Sequence, residues 1–317
     1  MTILVSKEST MSKASKRAGD RKIAGAGKAD VRFAASPSSL VEVDIAAYSH
    51  AGGARRVNED HYLVVRADRS LQTILSNFPE GVLPSTFDET AYGMCVADGM
   101  GGLPGGRIAS GLALRRLVDL VVKTPDWIMR MNKRKALIVT RRITQRFRAV
   151  DGTLRKLSAK DPGLAGMGTT MTVACSLGED LFLSHVGDSR AYLMRGEELR
   201  QLTRDHTLAQ AMIEAGVATP EDETVQGLRR VLTAALGATA RPTDPEIQHL
   251  YLEDRDQLLL CTDGLTEYVD STIISSILSN AGSVDKACRA LIDAASNSGG
   301  NDNTTVILAR YRFPQDM

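Results

Sequence analysis

The chain has 317 residues, 43% of them hydrophobic, which is enough to bury one large core or two modest ones. Its formal net charge of +1 gives no general attraction to nucleic acid or to a membrane surface, and no apolar run is long enough to span a bilayer. The four cysteines form no CxxC pair. Three of them lie in apolar strand-like runs, so we expect buried thiols in a reducing, cytoplasmic compartment rather than a zinc site or disulfides.

The N-terminal segment differs in composition from the rest of the chain. Residues 1–36 contain eight basic and three acidic residues, are rich in Ser, Ala and Gly, and are poor in aromatic residues. Such a segment cannot bury enough surface to offset the entropy cost of ordering, and it lacks the apolar stretch of a secretory signal. We therefore predict a basic, disordered tail over residues 1–40 and a folded domain over residues 41–313.

Strand patterns dominate the start of this domain. Strands are predicted over residues 41–49, 61–66 and 92–97. Residues 68–91 contain two prolines and several polar residues, which predicts an irregular excursion. Apolar residues at helical spacing then predict two helices, one over 107–122 and a basic one from Pro125 through Arg148.

The second half of the domain changes to short strands. The predicted strands are 171–177, 181–186, 191–194, 257–262 and 304–311. The predicted helices are one that starts near residue 204 and stops at Gly216, and two more over 273–278 and 283–296. Because strands and helices come in blocks rather than in strict alternation, the pattern favours a layered α+β fold over a doubly wound parallel sheet.

Four aspartates share one setting, the end of a strand or loop beside a small or amide residue: Asp60, Asp98, Asp263 and Asp302. A single Asp-Gly pair usually marks only a turn, but Asp98 and Asp263 both end apolar strands, and adjacent strand ends of a sheet would bring them to one rim. Clustered carboxylates raise one another's pKa unless cations neutralise them. We therefore expect a divalent cation, Mn²⁺ or Mg²⁺. Gly99, without a Cβ, would let its carbonyl approach that cation.

Eight motifs follow one another in order along residues 45–311: GxxRxxNED (52–60), VADGMGG (96–102), GMGTT (166–170), HVGDSR (185–190), DHT (205–207), ALG (235–237), TDGLT (262–266) and GGNDNTTV (299–306). Together they resemble the metal-dependent Ser/Thr protein phosphatases of the PPM (type 2C) family in its compact bacterial form. The resemblance implies a four-layer α-β-β-α sandwich, with two antiparallel sheets packed face to face and flanked by antiparallel helices. It also implies a flap segment beside the active site, at about residues 204–232.

The resemblance implies a site for two Mn²⁺ or Mg²⁺ ions. Asp98 would bridge the two ions, and the carbonyl of Gly99 would bind one of them. Asp263 and Asp302 would bind the other. Asp60 would join the metal site with Glu59, mainly through metal-bound waters, and Asn303 would be a further water-mediated contact.

The reaction implied by the resemblance is hydrolysis of phosphoserine and phosphothreonine by in-line attack of a hydroxide that bridges the two ions. Arg55 and Asp98 would be the catalytic residues, and the planar guanidinium of Arg55 would hold two phosphoryl oxygens. The partners would be phosphorylated proteins and a bacterial-type Ser/Thr kinase that the enzyme opposes, with no nucleic acid. The alternative is a catalytically weak scaffold of the same fold that binds phosphoproteins. The presence of all four aspartates and Arg55 favours the enzyme.

Some positions depart from the family pattern. Met100 stands where many eukaryotic members have a histidine, so a metal-bound water is expected to protonate the leaving group. Ala165 stands near GMGTT where a third-metal acid is common, and the nearest acid is Asp161, so we do not expect a strong third metal site. Within residues 224–234 the usual His-Pro, Asn and Arg are replaced, which predicts an altered substrate preference.

Two other features are assigned structural roles. His185 and Asp188 in HVGDSR are expected to fix a turn through side-chain hydrogen bonds. The basic run from Arg130 to Arg148 alternates with apolar residues at near-helical spacing. It is therefore predicted to be the solvated face of an amphipathic helix rather than a docking site for acidic partners.

Overall fold

The computed structural model describes residues 37–314, apart from residues 80–82, 84, 103, 124–132 and 239–241. Residues 1–36 of the predicted disordered tail and the start of the predicted basic helix lie outside the described residues. Residues Pro37–Leu40, which the sequence prediction assigns to the tail, form a 3₁₀ turn. Ser38 is buried and accepts a hydrogen bond from the Thr90 amide at 3.4 Å. This turn packs against the fold just before the predicted domain boundary at residue 41, and the boundary stays a prediction.

The strands, in chain order, are β1 (Glu42–His50), β2 (His61–Gln72), β3 (Thr86–Ala97), β4 (Gly99–Met100), β5 (Gly168–Thr169), β6 (Met171–Leu177), β7 (Asp180–Val186), β8 (Arg190–Arg195), β9 (Glu198–Gln201), β10 (Glu246–Tyr251), β11 (Gln257–Cys261) and β12 (Thr304–Arg312). They form two antiparallel sheets, in the spatial orders β1-β12-β11-β8-β9 and β10-β7-β6-β3-β2. A short ribbon pairs β4 with β5.

The helices, in chain order, are α1 (Gly105–Lys123), α2 (Lys133–Lys160), α3 (Leu208–Glu214), α4 (Glu223–Gln226), α5 (Asp263–Thr266), α6 (Ser271–Asn280) and α7 (Val284–Asn297). Each side of the sandwich is covered by helices. Helices α1 and α2 pack on β3, β6 and β7, and helices α6 and α7 pack on β8, β11 and β12. The predicted four-layer α-β-β-α architecture is confirmed.

Strand β11 shows why the sheets need cover on both faces. Its buried run alternates: Leu258 and Leu260 point into the core between the two sheets, while Leu259 and Cys261 face the α6 and α7 side. Successive residues of a strand point to opposite faces, so an unbroken apolar run requires an apolar layer on each side.

The irregular excursion predicted over residues 68–91 is wrong at both of its ends, because residues 68–72 belong to β2 and residues 86–91 belong to β3. Strands β2 and β3 pair along their whole length, from His61 with Ala97 to Gln72 with Thr86. The outer part of this arm is held by polar contacts, among them Arg69 Nη1 with Glu89 Oε2 at 3.1 Å. Polar side chains on the arm hide the alternation that normally reveals a strand.

Other predicted bounds shift as well. Helix α2 ends at Lys160 rather than near Arg148, and the flap segment, residues 204–232, contains the two short helices α3 and α4. Strands β9 and β10 have no predicted counterpart. Of the cysteines expected to be buried, Cys175 is exposed. No helix in the described ranges is long and apolar enough to cross a membrane.

Candidate active site

The four predicted aspartates meet at one rim of the sandwich. Asp98 follows β3 and Asp60 precedes β2, which are neighbouring antiparallel strands of one sheet. Asp263 follows β11 and Asp302 precedes β12, which are neighbours in the other sheet. Each sheet therefore supplies two carboxylates. The expectation that Asp98 and Asp263 lie on adjacent strands of one sheet is wrong, because they approach each other from opposite sheets.

Asp98 and Asp263 face mostly other carboxylates. Burial raises the pKa of Asp98 well above its usual value, and the charges of Asp60, Asp263 and Asp188 raise it further. Burial likewise raises the pKa of Asp263, followed by the charges of Asp188 and Glu267. Two acids in such surroundings cannot both ionise cheaply unless a cation lies between them.

Asp60 lies between the two sheets and is held by hydroxyl groups. Its Oδ2 accepts hydrogen bonds from Thr262 Oγ1 at 2.9 Å and from Thr305 Oγ1 at 2.7 Å. Burial raises its pKa to about 6. Its other oxygen, Oδ1, is buried without a hydrogen-bond partner among the described residues, as is Glu59 Oε1. The two threonines were missed by sequence reasoning, although both lie within the motifs TDGLT and GGNDNTTV.

The glycines near Asp98 allow a close approach of three backbone segments. A Cβ on Gly99 would lie 2.1 Å from the carbonyl oxygen of Gly106, in the first turn of α1. A Cβ on Gly106 would lie 2.6 Å from the carbonyl oxygen of Gly99 and 2.7 Å from Glu59 Oε1. The structure therefore requires Gly99 for packing against α1. The same packing brings the Gly99 carbonyl oxygen and Glu59 Oε1 close together beside Gly106.

Arg55 is the cation nearest to this rim in the described contacts. Its Nη2 donates to Asp302 Oδ2 at 2.9 Å, and Asp302 raises the pKa of Arg55. The charges of Glu59 and Asp98 act on it too. Its side chain is 52% exposed, so it can reach a ligand in solvent.

Asn303 holds the loop that carries Glu59 and Asp60. Its Oδ1 accepts a hydrogen bond from the Glu59 amide at 2.8 Å. Its Nδ2 donates to the carbonyl oxygens of Ala51 at 2.8 Å and Val57 at 3.2 Å. These direct bonds use both amide protons and one acceptor site of the oxygen, so Asn303 shapes the loop. Its water-mediated contact with the site stays a prediction.

The donor set at this rim suits a hard divalent cation. It consists of carboxylate and carbonyl oxygens, it includes two buried oxygens without hydrogen-bond partners among the described residues, and the pKa values of Asp60 and Asp98 are raised. Within the described residues, no three His, Cys, Asp or Glu side chains are already arranged to enclose a metal ion. At the edge of this donor set, Arg55 donates to one of the two carboxylate oxygens of Asp302.

The motif HVGDSR contributes more than a turn. His185 has the structural role that was predicted, because its Nδ1 lies 2.8 Å from Thr172 Oγ1 and its Nε2 lies 3.1 Å from the Arg204 carbonyl. Asp188, only 8% exposed, belongs to the acidic cluster. Burial and the charge of Asp205 raise its pKa to about 7.

The remaining predicted positions lie outside the acidic cluster. Asp161, the acid nearest to Ala165, accepts a hydrogen bond from the Gly163 amide at 2.9 Å and caps a 3₁₀ turn. Met100 lies in β4 and pairs with Gly168. Neither residue offers a carboxylate or a proton donor to the rim.

Comparison with known proteins gives consistent matches. The sequence model of the protein phosphatase 2C family matches residues 85–302. The serine/threonine protein phosphatase PstP of Mycobacterium tuberculosis is 32% identical over 234 residues, which are 72% of this chain but 43% of PstP. The serine/threonine phosphatase stp of Listeria welshimeri is 32% identical over 220 residues, 69% of this chain and 84% of that protein.

The fold has a counterpart among solved structures. The crystal structure of the catalytic domain of PstP in complex with two manganese ions superimposes with a TM-score of 0.66 and 28% identity. The match covers 86% of this chain and 99% of that domain.

Proposed function

This chain belongs to the protein phosphatase 2C family, and from that premise we propose that it hydrolyses phosphoserine and phosphothreonine in proteins. The observation that carries the proposal is the rim where two sheets bring Asp60, Asp98 and Asp263 together with Arg55 beside them. A phosphatase of this kind needs oxygen ligands for cations and a guanidinium for the phosphoryl group, and this rim offers both kinds of group.

We propose that this rim binds two divalent ions, Mn²⁺ or Mg²⁺. Asp98 and the Gly99 carbonyl would hold them with Asp263, Asp302 and Asp60, and Glu59 would support the site. The two manganese ions of the PstP catalytic domain support this count. When bound, such ions activate a water nucleophile and offset the negative charge of the phosphoryl group.

The chain's own residues then have distinct tasks. Arg55 would bind two phosphoryl oxygens through its guanidinium fork and orient the ester for in-line attack. Thr262 and Thr305 would keep Asp60 oriented through its Oδ2, which leaves Oδ1 for the site. Asn303 would fix the loop that carries Glu59.

The substrates would be proteins phosphorylated by a Ser/Thr kinase, whose action this enzyme would reverse. A catalytically weak scaffold of the same fold should have lost a carboxylate of the rim or Arg55, and none of these is missing from the sequence. The structure contains no observation that favours the scaffold over the enzyme.

The test is hydrolysis of a phosphothreonine peptide and of p-nitrophenyl phosphate by the purified chain. We expect turnover with Mn²⁺ or Mg²⁺, loss of turnover in excess EDTA, and recovery when the metal is restored. Turnover that persists in EDTA would overturn the metal requirement. No turnover with either metal would favour the scaffold.

A further inference from the structure

The flap segment carries an arginine that contacts the helix beside the acidic rim. Arg230 donates from Nε to Glu267 Oε1 at 2.7 Å and from Nη2 to Glu267 Oε2. Two parallel bonds from one guanidinium to one carboxylate fix the orientation as well as the distance. Arg230 lies within residues 224–234, the stretch whose sequence departs from the family pattern.

Glu267 is positioned by the helix that begins with Asp263. Helix α5 is a single turn, and the Glu267 amide donates to the Asp263 carbonyl at 2.8 Å. Residues four apart lie on the same side of a helix. The charge of Glu267 accordingly acts on Asp263 and on Asp188. The ion pair with Arg230 therefore joins the flap to the candidate active site one helical turn from a predicted metal ligand.

The base of the flap has its own attachments. Thr207 and Leu232 form a β-bridge, and the Leu208 amide donates to the Val231 carbonyl at 2.8 Å. The Thr233 amide donates to the His206 carbonyl at 2.8 Å. These backbone bonds do not depend on the side chain of Arg230. Loss of the ion pair should therefore change the placement of the flap rather than unfold it.

The neighbouring Arg229 makes a different contact. Its Nη2 donates to the Pro220 carbonyl at 3.2 Å, which is a bond within the flap. The two adjacent arginines thus form a natural pair for comparison, because only the contact of Arg230 leads from the flap to α5.

We propose that Arg230 is a positioning residue that holds the flap against α5 and thereby controls how phosphorylated protein segments reach the acidic rim. The inference rests on the proposed phosphatase function and adds a determinant of substrate class to it. A small ester such as p-nitrophenyl phosphate is expected to depend little on the flap, because it has no chain beyond its single ring, whereas a peptide extends on both sides of its phosphate.

The kinetic test compares Arg230→Ala, Arg230→Lys and Glu267→Gln with the control Arg229→Ala at saturating Mn²⁺. For Arg230→Ala we expect the KM for a phosphothreonine peptide to rise roughly fivefold, with less than about a twofold change for p-nitrophenyl phosphate. Glu267→Gln should follow Arg230→Ala, and Arg230→Lys should fall between it and the wild type, since lysine keeps the charge without the fork. Arg229→Ala should match the wild type. Equal effects of Arg230→Ala on both substrates, or none on either, would overturn the proposal.

A second measurement does not need activity. Hydrogen exchange of the amides in residues 208–232 should be faster in Arg230→Ala than in the wild type and in Arg229→Ala. Unchanged exchange would overturn the proposal even if kinetics differed. If the wild type hydrolyses neither ester but exchange is still faster in Arg230→Ala, the result would support the attachment of the flap and refute the phosphatase function.

Discussion

The two ends of strand β11 carry aspartates that the protein treats in opposite ways. Asp256, directly before the strand, is fully buried and accepts two hydrogen bonds from Arg195, at 2.9 and 2.7 Å, and one from the Glu253 amide at 2.8 Å. Asp263, beyond the other end, has carboxylates as its strongest charged neighbours. Its pKa is raised by burial and by these charges.

The comparison separates two kinds of buried carboxylate. The fold neutralises Asp256 with its own arginine, whereas the partner that we propose for Asp263 is a bound metal ion. A buried carboxylate is tolerated when a guanidinium and amides satisfy its oxygens, as at Asp256. At the opposite rim, Asp60, Asp98 and Asp263 have no guanidinium partner among the described residues, which is costly for a purely structural cluster. The first end is built for stability, and the second suits the cation site that we propose.

The largest expected effect comes from Asp98→Asn. Replacing one predicted metal ligand should lower kcat toward p-nitrophenyl phosphate at saturating Mn²⁺ on the order of a thousandfold, because charge stabilisation at the phosphoryl group is lost. The melting temperature of the metal-free protein should not fall, since a repelling carboxylate has been removed. Near-normal turnover would show that the metal-binding end has been misidentified.

At the other end of the comparison, Asp256→Asn should affect stability and not catalysis. We expect the free energy of unfolding in urea to fall by about 1–3 kcal/mol. This is below the range for a fully buried pair because Arg195 is 40% exposed. The kcat per folded molecule should stay at the wild-type value. Asp293→Asn, an exposed position on α7, is the control. Lost turnover at full stability would break the contrast between the two ends.

A smaller effect concerns pH in the metal-free protein. Asp60 has a pKa of about 6 in the fold against an ordinary value of 3.8. Because the pKa is higher in the fold, the protonated form of Asp60 is favoured there. The resulting contribution to stability is fully present below about pH 4 and is lost as the pH rises through 6. In EDTA, the melting temperature of the wild type should therefore fall relative to that of Asp60→Asn between pH 4.5 and 7.5. His185, whose pKa burial lowers to about 3, acts in the opposite direction but equally in both proteins.

Parallel melting profiles of these two proteins would contradict the assignment of Asp60 as a carboxylate destabilised by its surroundings. Saturating Mn²⁺ should raise the melting temperature of the wild type most at high pH, since bound cations favour the folded state by mass action. The same Mn²⁺ titration on Asp256→Asn should give the wild-type response, because Asp256 pairs with Arg195 and lies at the end of β11 opposite the acidic rim.

Local pattern was sufficient for the elements with an unambiguous period. The apolar run that became β11 and the helical spacing of α1 and α7 were predicted to within a few residues. The long arm of β2 and β3 was not, because its polar contacts, such as Thr90 Oγ1 with Asp68 Oδ1 at 2.9 Å, form only between strands already paired. Strand β10, half-buried at a sheet edge, gave no alternation that could be recognised.

The same limit applies to the candidate site. The sequence singled out Asp60, Asp98, Asp263, Asp302 and Arg55 because each stands in a recognisable motif. It gave no means to find the shared role of Thr262 and Thr305, which lie 43 residues apart and converge on one oxygen of Asp60. It also gave no sign of the close contact between Gly99 and α1, which a side chain on Gly99 would block.

The sequence by itself determined which residues are proposed to carry the chemistry and that strands and helices form layers, since motif identity and periodicity are properties of neighbouring residues. Only the tertiary structure decided that the carboxylates arrive in pairs from two sheets, that Asp256 pairs with a guanidinium while Asp263 pairs with none from the described part of the chain, and that Arg230 reaches Glu267. Charge and burial act through space. Residues far apart in the chain therefore set each other's ionisation only once the sandwich has closed.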